Sequence, residues 1–395
     1  MDAVSAEPAP RSRHRLFGRA GTHTPDRSLP RAARDPPEVP LRIAMLAPPW
    51  IPVPSPGYGG VESVVSTLTE ALVGRGHDVT LFCAPGSASR ANVVTLLDRP
   101  HADEIERSLY EVDHVGRAFD RIDAAAGSGA RFDAVHDHCG FTGLAMANRI
   151  DTPLVHTLHG AFTSETAAFY SRHGHKAALV GISATQLASA PPGLRPIDSI
   201  PNPIDLRAWP LQERKGDYLL WIGRITPEKG PHRAIAAARA VDVPIVIAGV
   251  IQPGQQAFFD REVAPHIDGT QVRFVGEVGG SAKRSLFARA RGLLMPIRWE
   301  EPFGMVMIEA LACGTPVIAF PEGAARELVI DGRTGFLVDD ERAMAVAIGG
   351  LPRIDAHTCR AWVRRHCDVN VVAAAYERTY RSVAAPDTAR ALARV

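Results

Sequence analysis

Two glutamates, Glu301 and Glu309, frame an apolar segment in the second half of the chain. Pro302 and Gly304 place Glu301 on a loop, and the apolar run that follows predicts a mostly buried helix with Glu309 in its interior. Burying an unpaired carboxylate costs free energy on the order of several kcal/mol, so Glu309 requires a partner or a ligand. The spacing alone leaves two interpretations open, a buried salt bridge and a ribose diol that donates hydrogen bonds.

Two cations, Arg224 and Lys229, lie in the segment from Gly223 to Gly230, directly after a predicted strand. A guanidinium and an ammonium near the carboxyl end of a strand suit the neutralisation of a leaving diphosphate. The other interpretation is a pair of surface charges on either side of a loop that caps a helix.

A glycine-rich loop, Gly57-Tyr-Gly-Gly60, separates the first predicted strand from the first predicted helix. Backbone N–H groups at such a helix N-terminus can bind a diphosphate, provided that no side chain keeps the backbone away. Glu62 stands near the place of the third glycine of a G-x-G-x-x-G motif, and no G-K-[ST] follows, so neither common nucleotide motif is complete. Gly59 and Gly60 therefore indicate either a phosphate cradle or an ordinary tight turn.

Histidines form a third group: the run His136-Asp137-His138 follows one predicted strand, and His159 ends the next. A neutral His159 imidazole, placed where the strand opens at Gly160, suits a hydrogen bond to a sugar hydroxyl or to a reacting group. Backbone hydrogen bonds are the expected partners of the other histidines. No helix carries two histidines four positions apart, and no Asp-x-Asp pair occurs, so the sequence predicts no metal site.

The elements that position these residues alternate between short buried strands and helices, in two series. In the first series, apolar residues from Val61 to Leu72 have helical spacing, and Gly74 and Gly76 end the helix. Strand, glycine loop, helix and strand make a βαβ unit, which implies a parallel sheet. The predicted strands are 42–47, 77–83, 132–135, 154–158 and 178–182, then 218–222, 245–248, 272–275, 293–295 and 316–320; helices are predicted at 231–240 and 281–290.

The sequence therefore predicts an α/β protein with two doubly wound parallel-sheet domains, both Rossmann-like, that face a central cleft. We expect a disordered tail rich in proline and arginine over residues 1–40, because it cannot bury enough apolar surface to order itself. The first domain is expected over 41–205 and the second over 206–370, with a Pro-rich linker near 190–215. Residues 371–395 are expected to form a C-terminal helix and tail that return to the first domain.

The composition narrows the classes of function. The chain has 395 residues, with 44 Lys and Arg against 43 Asp and Glu, so no strong field favours nucleic acid or an acidic partner. Its five cysteines include no C-x-x-C pair, no apolar run approaches the roughly 20 residues that span a bilayer, and the first residues lack the apolar core expected of a secretory signal. We therefore expect a soluble, cytoplasmic protein. The basic stretch 161–176 is interpreted as a solvated loop or helix face, with an anionic acceptor or peripheral membrane contact as the alternative.

Taken in order along the chain, these segments resemble the retaining glycosyltransferases of family 4, which have the GT-B fold and a donor-binding C-terminal domain like that of glycogen synthases. The resemblance covers nearly all of residues 41–380, and its most diagnostic part is the segment 301–319. The other matching segments are Gly59-Gly-Val-Glu62, Arg75-Gly-His-Asp-Val79, His136-Asp-His138, His156-Thr-Leu-His-Gly160, Pro201-Asn-Pro-Ile-Asp205 and Gly223-Arg-Ile-Thr-Pro-Glu-Lys-Gly230.

The resemblance implies a role for each matching residue. Arg224 and Lys229 would hold the diphosphate of a nucleotide-sugar donor, and the loop at Gly59 would cover it from the other domain. Glu301 would contact the transferred sugar, and His159 would lie beside that sugar; these four side chains form the implied catalytic set. The implied donor-binding set is Gly59, Gly60, Gly223, Phe303, Gly304, Met305 and, at the nucleotide ribose, Glu309.

The resemblance also implies the reaction. A hexosyl group would pass from a UDP- or GDP-sugar to a small-molecule, glycan or lipid-linked acceptor, with retention of the anomeric configuration and without a metal or other cofactor. Fixed cations lower the cost of the charge that develops on the leaving phosphate. A leaving phosphate oxygen can itself take the acceptor's proton, which would explain why the sequence contains no obvious general base.

Two positions depart from the family pattern. Ala324 follows Gly323 where a second glycine is usual, and Pro203 follows Asn202 where the family has glycine, but neither change removes a charged group. Two other functions stay open: a nucleotide-sugar epimerase of the same fold, which would carry a different set of acidic residues, and a sugar-nucleotide-binding protein without catalysis. A phosphorylase would require a lysine-bound pyridoxal phosphate, for which no segment is suited.

Overall fold

The computed structural model describes residues 39–57, 59–105 and 107–385. Within this part of the chain, two parallel sheets each have helices on both faces, so the predicted α/β fold with two Rossmann-like sheets is confirmed. The predicted disordered tail lies outside the described residues except for Val39 and Pro40, and so does the end of the predicted C-terminal tail. None of the described helices combines the length and the apolar character needed to cross a membrane.

The first sheet consists of β1 (Arg42–Leu46), β2 (Asp78–Cys83), β3 (Asn92–Thr95), β4 (Ala134–Asp137), β5 (Leu154–Leu158), β6 (Ala178–Gly181) and β7 (Asp198–Ser199). Its strands are all parallel, in the order β3-β2-β1-β4-β5-β6-β7. The helices that lie between these strands in the sequence are α1 (Gly60–Gly74), α2 (Ser108–Gly127), α3 (Thr142–Ala145), α4 (Ser164–His173) and α5 (Ala184–Ala188).

Helices cover both faces of this sheet, which explains why its strands are almost continuously apolar. Ile43 and Met45 of β1 belong to the same buried cluster as Leu68 of α1. Leu46, on the opposite face of β1, belongs to a second cluster with Phe119 of α2. Since successive side chains of a strand point to opposite faces, a strand covered on both sides has apolar residues at consecutive positions.

The second sheet consists of β8 (Leu219–Ile222), β9 (Ile245–Ala248), β10 (Val272–Phe274), β11 (Gly292–Met295), β12 (Val317–Ala319) and β13 (Gly335–Leu337). Its strands are also parallel, in the order β10-β9-β8-β11-β12-β13. The remaining helices are α6 (Pro231–Arg239), α7 (Gln256–Glu262), α8 (Gly280–Arg289), α9 (Met305–Ala312), α10 (Ala325–Leu328), α11 (Glu341–Ile348), α12 (Ala356–His366) and α13 (Val369–Ala384).

The last helix, α13, follows the second sheet in sequence but packs against the first. Its Tyr376 and Tyr380 are buried in the cluster that α1 forms on the first sheet. Glu377 of α13 accepts a hydrogen bond from Arg75 Nε at 2.7 Å, and its Oε1 lies 2.5 Å from His77 Nε2. These contacts attach the end of the described chain to the loop between α1 and β2.

All ten predicted strands are present, with ends within two residues of the expected positions. The strands that sequence periodicity missed are β3, β7 and β13, which are short, lie at sheet edges and are partly exposed. The largest shift is in β4, which extends through the polar residues His136 and Asp137. Polar side chains at these buried positions are tolerated because each has a side-chain partner inside the protein.

Candidate functional site

A cavity of about 300 Å³ lies at the carboxyl ends of strands from both sheets. Its walls come from the segments that follow β1, β5, β6 and β7 in the first sheet, and β8, β9, β10 and β11 in the second. Every site residue predicted from the sequence lines this cavity: Gly59, Gly60, His159, Gly223, Arg224, Lys229, Glu301, Phe303, Gly304, Met305 and Glu309. The fold therefore brings together side chains and glycines that are up to 250 positions apart in sequence.

Direct contacts join the segments that follow the strands of the first sheet to those that follow the strands of the second. Ser183, at the start of α5, donates a hydrogen bond from its hydroxyl to the Pro302 carbonyl at 2.7 Å. The Ala184 backbone N–H donates to Glu327 of α10 at 3.0 Å. A Cβ placed on Gly279 would lie only 2.4 Å from the Pro56 carbonyl oxygen, so the backbones approach closely there.

The two glycines before and at the start of α1 have different surroundings. A Cβ on Gly59 would lie 2.6 Å from Ser55 Cβ, and the Gly59 carbonyl accepts a hydrogen bond from the Ser63 hydroxyl at 2.7 Å. A Cβ on Gly60 would meet no heavy atom within 4 Å. Local packing therefore requires glycine at position 59 only, and open space lies beside Gly60 at the N-terminus of a 15-residue helix.

The predicted cation pair follows β8. Arg224 donates one hydrogen bond to Gln252 Oε1 at 3.3 Å, and its Nε is buried without a partner in the described part of the chain. The Trp221 indole donates to the Lys229 carbonyl at 3.1 Å, which holds the Lys229 backbone beside β8. The Lys229 side chain is 15% exposed and forms an ion pair with Glu301. Both Arg224 and Lys229 line the cavity.

Glu301 lies on the loop between β11 and α9, as predicted, and its carboxylate is held by two neighbours. Oε2 accepts a hydrogen bond from the Trp299 indole at 3.2 Å as well as from Lys229, whose Nζ lies 4.9 Å from the centre of the Trp299 ring. Gly304 has a φ of 87°, a left-handed conformation that favours glycine and lets α9 begin at Met305. Sequence reasoning missed Trp299, although it stands two positions from Glu301.

Glu309 is buried in α9, as predicted, and its two oxygens differ. Oε1 lies 2.6 Å from Nζ of Lys283 in α8, whereas Oε2 is buried and has no hydrogen-bond partner among the described residues. The salt bridge, one of the two interpretations of the sequence, is therefore present, and one oxygen remains to accept hydrogen bonds from a ligand. Sequence reasoning missed Lys283, whose only signal was a position beside Arg284 near the start of a predicted helix.

His159 ends β5 at the cavity wall, and its Nε2 lies 2.8 Å from Nδ1 of His138. Burial, and then repulsion from His156, lower the pKa of His159 to about 3, although Asp137 acts in the opposite direction. The imidazole is therefore neutral at physiological pH. A neutral ring supplies one donor and one acceptor, as the sequence-based expectation for a sugar contact requires.

The histidines behind this wall bond to side chains, so the prediction of backbone partners is wrong for them. His136 lies 2.7 Å from the Tyr380 hydroxyl and 2.8 Å from the Thr157 hydroxyl. His156 Nδ1 lies 2.7 Å from Asp137 Oδ2. In the described part of the chain, no group of three or more His, Cys, Asp or Glu side chains is arranged to hold a metal ion.

Comparison with known proteins adds independent findings. The family described as Glycosyltransferase Family 4 matches residues 58–208, and the family described as Glycosyl transferases group 1 matches residues 206–349. A phosphatidyl-myo-inositol mannosyltransferase of Mycolicibacterium smegmatis is 30% identical over an alignment of 382 residues, which covers 87% of this chain and 94% of the relative. The chain belongs to glycosyltransferase family 4.

Two further proteins are similar to this family 4 glycosyltransferase. A glycogen synthase of Mycobacterium tuberculosis is 29% identical over 345 residues, covering 75% of this chain and 81% of the relative. The crystal structure of AviGT4, a glycosyltransferase involved in avilamycin A biosynthesis, superposes with a TM-score of 0.67 at 27% identity and covers 88% of this chain and 99% of the other. The predicted GT-B fold and the predicted enzyme class, a glycosyltransferase, are thereby confirmed.

Proposed function

We propose that this family 4 enzyme transfers a hexosyl group from a UDP- or GDP-sugar to an acceptor, with retention of the anomeric configuration and without a metal ion or other cofactor. The observation that carries this proposal is the arrangement of one cavity wall. Two cations, Arg224 and Lys229, stand in the same cavity as two separately held carboxylates, Glu301 and Glu309. Such a wall suits a ligand that has negative charge in its middle and hydroxyl groups at both ends.

The diphosphate is assigned to the cations and the start of α1. The unpartnered Nε of Arg224 and the ammonium of Lys229 supply positive charge that requires no reorganisation when the phosphate departs. The open space beside Gly60 gives a phosphate access to the first backbone N–H groups of α1. Together these groups would stabilise the leaving nucleoside diphosphate in the role that a metal ion has in other transferases.

The transferred sugar is assigned to the loop before α9. Glu301 accepts hydrogen bonds readily and is fixed by Trp299 and Lys229, so it would orient the sugar through its hydroxyl groups. The backbone from Phe303 to Met305 adds N–H groups at the start of α9. Glu309, one further turn into that helix, is assigned to the nucleotide ribose.

The proposed chemistry needs few side chains. The bond between the anomeric carbon and the phosphate oxygen breaks, the acceptor oxygen bonds to the same face of that carbon, and the acceptor's proton passes to a phosphate oxygen. Neutral His159 would hydrogen-bond a sugar hydroxyl beside the reacting carbon. Arg224 and Lys229 would stabilise the charge that develops on the phosphate, so removal of either should slow the chemical step.

The acceptor is proposed only as a class, namely a small molecule, a glycan or a lipid-linked acceptor. The similar proteins differ in what their names state, since one is a mannosyltransferase named for phosphatidyl-myo-inositol and another is a glycogen synthase. Acceptor contacts would come from the first-sheet side of the cavity, where Val61, Val64 and Ile182 line an apolar surface beside His159.

A panel of labelled nucleotide sugars tests the proposal. Incubation of the enzyme with UDP- and GDP-hexoses should release the nucleoside diphosphate, with transfer to an acceptor or slow hydrolysis in its absence, and chelation by EDTA should leave the rate unchanged. NMR of the product should give the anomeric configuration of the donor. Release of a free epimer, binding without turnover, or inversion would each contradict the proposal.

Variants of the two cations make the test specific. Arg224→Ala and Lys229→Ala should each lower turnover at least tenfold, because a charge that faces the departing phosphate commonly contributes about 2.7–4 kcal/mol to the barrier. Arg289→Ala is the matched control, since Arg289 is an exposed cation of α8 outside the cavity. Unchanged turnover in both cavity variants would contradict the diphosphate assignment.

A further inference from the structure

Among the described residues, three Lys or Arg side chains line the cavity: Arg224, Lys229 and Lys283. Lys283 is the one that the sequence did not predict as a site residue. It projects from α8, and its Nζ lies 2.6 Å from Glu309 Oε1 of α9. The Lys283 side chain is 25% exposed, whereas that of Glu309 is 6% exposed. The ammonium is therefore partly exposed and its carboxylate partner is almost fully buried, while both residues line the cavity.

The unpartnered oxygen of Glu309 indicates a role in ligand binding for the Lys283–Glu309 ion pair. A carboxylate has about four acceptor positions, and leaving a buried acceptor without a partner costs the protein the desolvation of that group. Oε2 of Glu309 is buried and has no partner among the described residues, although Glu309 lines the cavity. A ligand hydroxyl at this wall would supply the missing hydrogen bond and reduce that cost.

Lys283 fixes which oxygen is free. Its single hydrogen bond to Oε1 holds the carboxylate plane and compensates the buried charge, so that Oε2 is left as an acceptor in one defined direction. Removing one partner of a buried ion pair leaves the other charge uncompensated, and the remaining side chain then rotates or draws in water. The direction of Oε2 would be lost with the lysine, even though Glu309 itself is unchanged.

We propose that Lys283 is a positioning residue for nucleotide recognition, which orients Glu309 so that its free oxygen accepts a hydrogen bond from a ribose hydroxyl. The site consequently prefers ribonucleoside diphosphates over their deoxy counterparts. This inference rests on the proposed use of a nucleoside diphosphate sugar and adds a residue to it. A purely structural salt bridge between α8 and α9 predicts instead a loss of stability with no change in this preference.

Isothermal titration of the full chain with UDP, GDP and their 2′-deoxy and 3′-deoxy forms tests the proposal. Wild type should bind the better ribonucleotide at least tenfold more tightly than one of its deoxy forms. In Lys283→Met that ratio should fall below threefold, and Lys283→Arg, which keeps a cation, should restore most of it. Arg289→Met, which removes an exposed cation of the same helix outside the cavity, should keep the wild-type affinities and the wild-type ratio.

The ratio of ribonucleotide affinity to deoxynucleotide affinity distinguishes a positioning role of Lys283 from a purely structural one. A wild-type ratio near one, or a Lys283→Met ratio equal to that of wild type, would overturn the role of Lys283 even where overall affinity or thermal stability falls. Should Lys283→Met not fold, Lys283→Gln provides the same comparison with a polar end of similar length. If wild type binds neither UDP nor GDP at millimolar concentration, the proposed function fails and this inference with it.

Discussion

Nδ1 of His138 lies 2.8 Å from Nε2 of His159, so the two imidazoles share one hydrogen bond at the cavity wall. Nε2 of His138 is buried without a partner among the described residues. A proton on that nitrogen would be an orphaned buried donor, which proteins rarely contain, so we assign the His138 proton to Nδ1. His159 then accepts at Nε2 and carries its own proton on Nδ1, which makes it a donor to its ligand.

His159→Asn should lower kcat about tenfold or more, because it removes a hydrogen bond beside the reacting sugar. Since the pKa of His159 is lowered to about 3, its imidazole stays neutral from pH 5 to pH 9. The pH profiles of kcat for wild type and His159→Asn should therefore be parallel over this range. A wild-type ionisation near pH 6–7 that disappears in the variant would contradict the neutral, hydrogen-bonding role.

A second prediction concerns Gly59 and Gly60 at the start of α1. Gly60→Ala should leave the melting temperature unchanged or slightly higher, because its Cβ meets nothing and alanine favours the helix by up to about 1 kcal/mol. Its affinity for the donor should nevertheless fall, because the methyl group occupies the space assigned to the phosphate. Gly59→Ala is the contrasting variant: its Cβ would overlap Ser55, so this change should lower stability.

Thermal melting and titration with UDP and GDP check this pair of variants. If Gly60→Ala binds the nucleotides as tightly as wild type does, the loop is an ordinary tight turn and not a phosphate cradle. The comparison thus resolves the two interpretations that the sequence left open for this loop.

Most of the cavity residues could be predicted because they lie in segments that follow apolar strands, and the carboxyl ends of parallel strands meet at one edge of a sheet. Glu301 and Arg224 are examples, since a proline or glycine beside each already indicated a loop. Their partners could not be predicted in the same way. Lys283 and Glu309 are 26 positions apart on two helices, and no periodic pattern specifies which residues of two packed helices face each other.

The edge strands and the buried histidines were missed for related reasons. Strand β3 has two half-buried residues between exposed ends, so its pattern of apolar residues is too weak to stand out. Because His136 is polar, the sequence predicts that the strand ends before it. His136 nevertheless lies within β4, since the Tyr380 hydroxyl of the last helix is its hydrogen-bond partner. A contact between residues 244 positions apart depends on the tertiary fold and leaves no local signal.

Buried neutral histidines predict a particular sensitivity to acid. His114 is fully buried on α2, and burial lowers its pKa from the usual 6.5 to about 4, even though its Nε2 donates to the Ala47 carbonyl at 3.1 Å. Between pH 6.5 and pH 4 the unfolded chain binds a proton at this residue and the folded chain does not. Stability therefore falls as the pH is lowered through this window, by about 1.4 kcal/mol per pH unit for one such histidine.

His114→Asn should show a shallower pH dependence of the free energy of unfolding between pH 6.5 and pH 4, by about that slope. Urea denaturation at several pH values measures it, and His175→Asn, a change at an exposed histidine, is the control that should keep the wild-type slope. Equal slopes in wild type and His114→Asn would indicate that His114 is already protonated in the folded protein.

The attachment of α13 to the first sheet gives the last prediction. Burial raises the pKa of Glu377, but hydrogen bonds from Arg75 and His77 outweigh it, and the net pKa lies below the usual 4.5. Glu377 therefore contributes stability above pH 4.5, and this contribution is lost as the pH falls below that value. Glu377→Ala should lower the free energy of unfolding at pH 7 by roughly 2 kcal/mol, because it removes hydrogen bonds to a charged partner.

Tyr380→Phe should destabilise the same contact through His136, whose Nδ1 would lose the hydroxyl 2.7 Å away and remain buried without a partner. Arg378→Ala, an exposed change on the same helix, should alter stability by less than about 0.5 kcal/mol. Chemical denaturation measures all three variants. If Glu377→Ala and Tyr380→Phe unfold like Arg378→Ala, α13 is not held by these bonds, and its buried tyrosines alone must account for its position against α1.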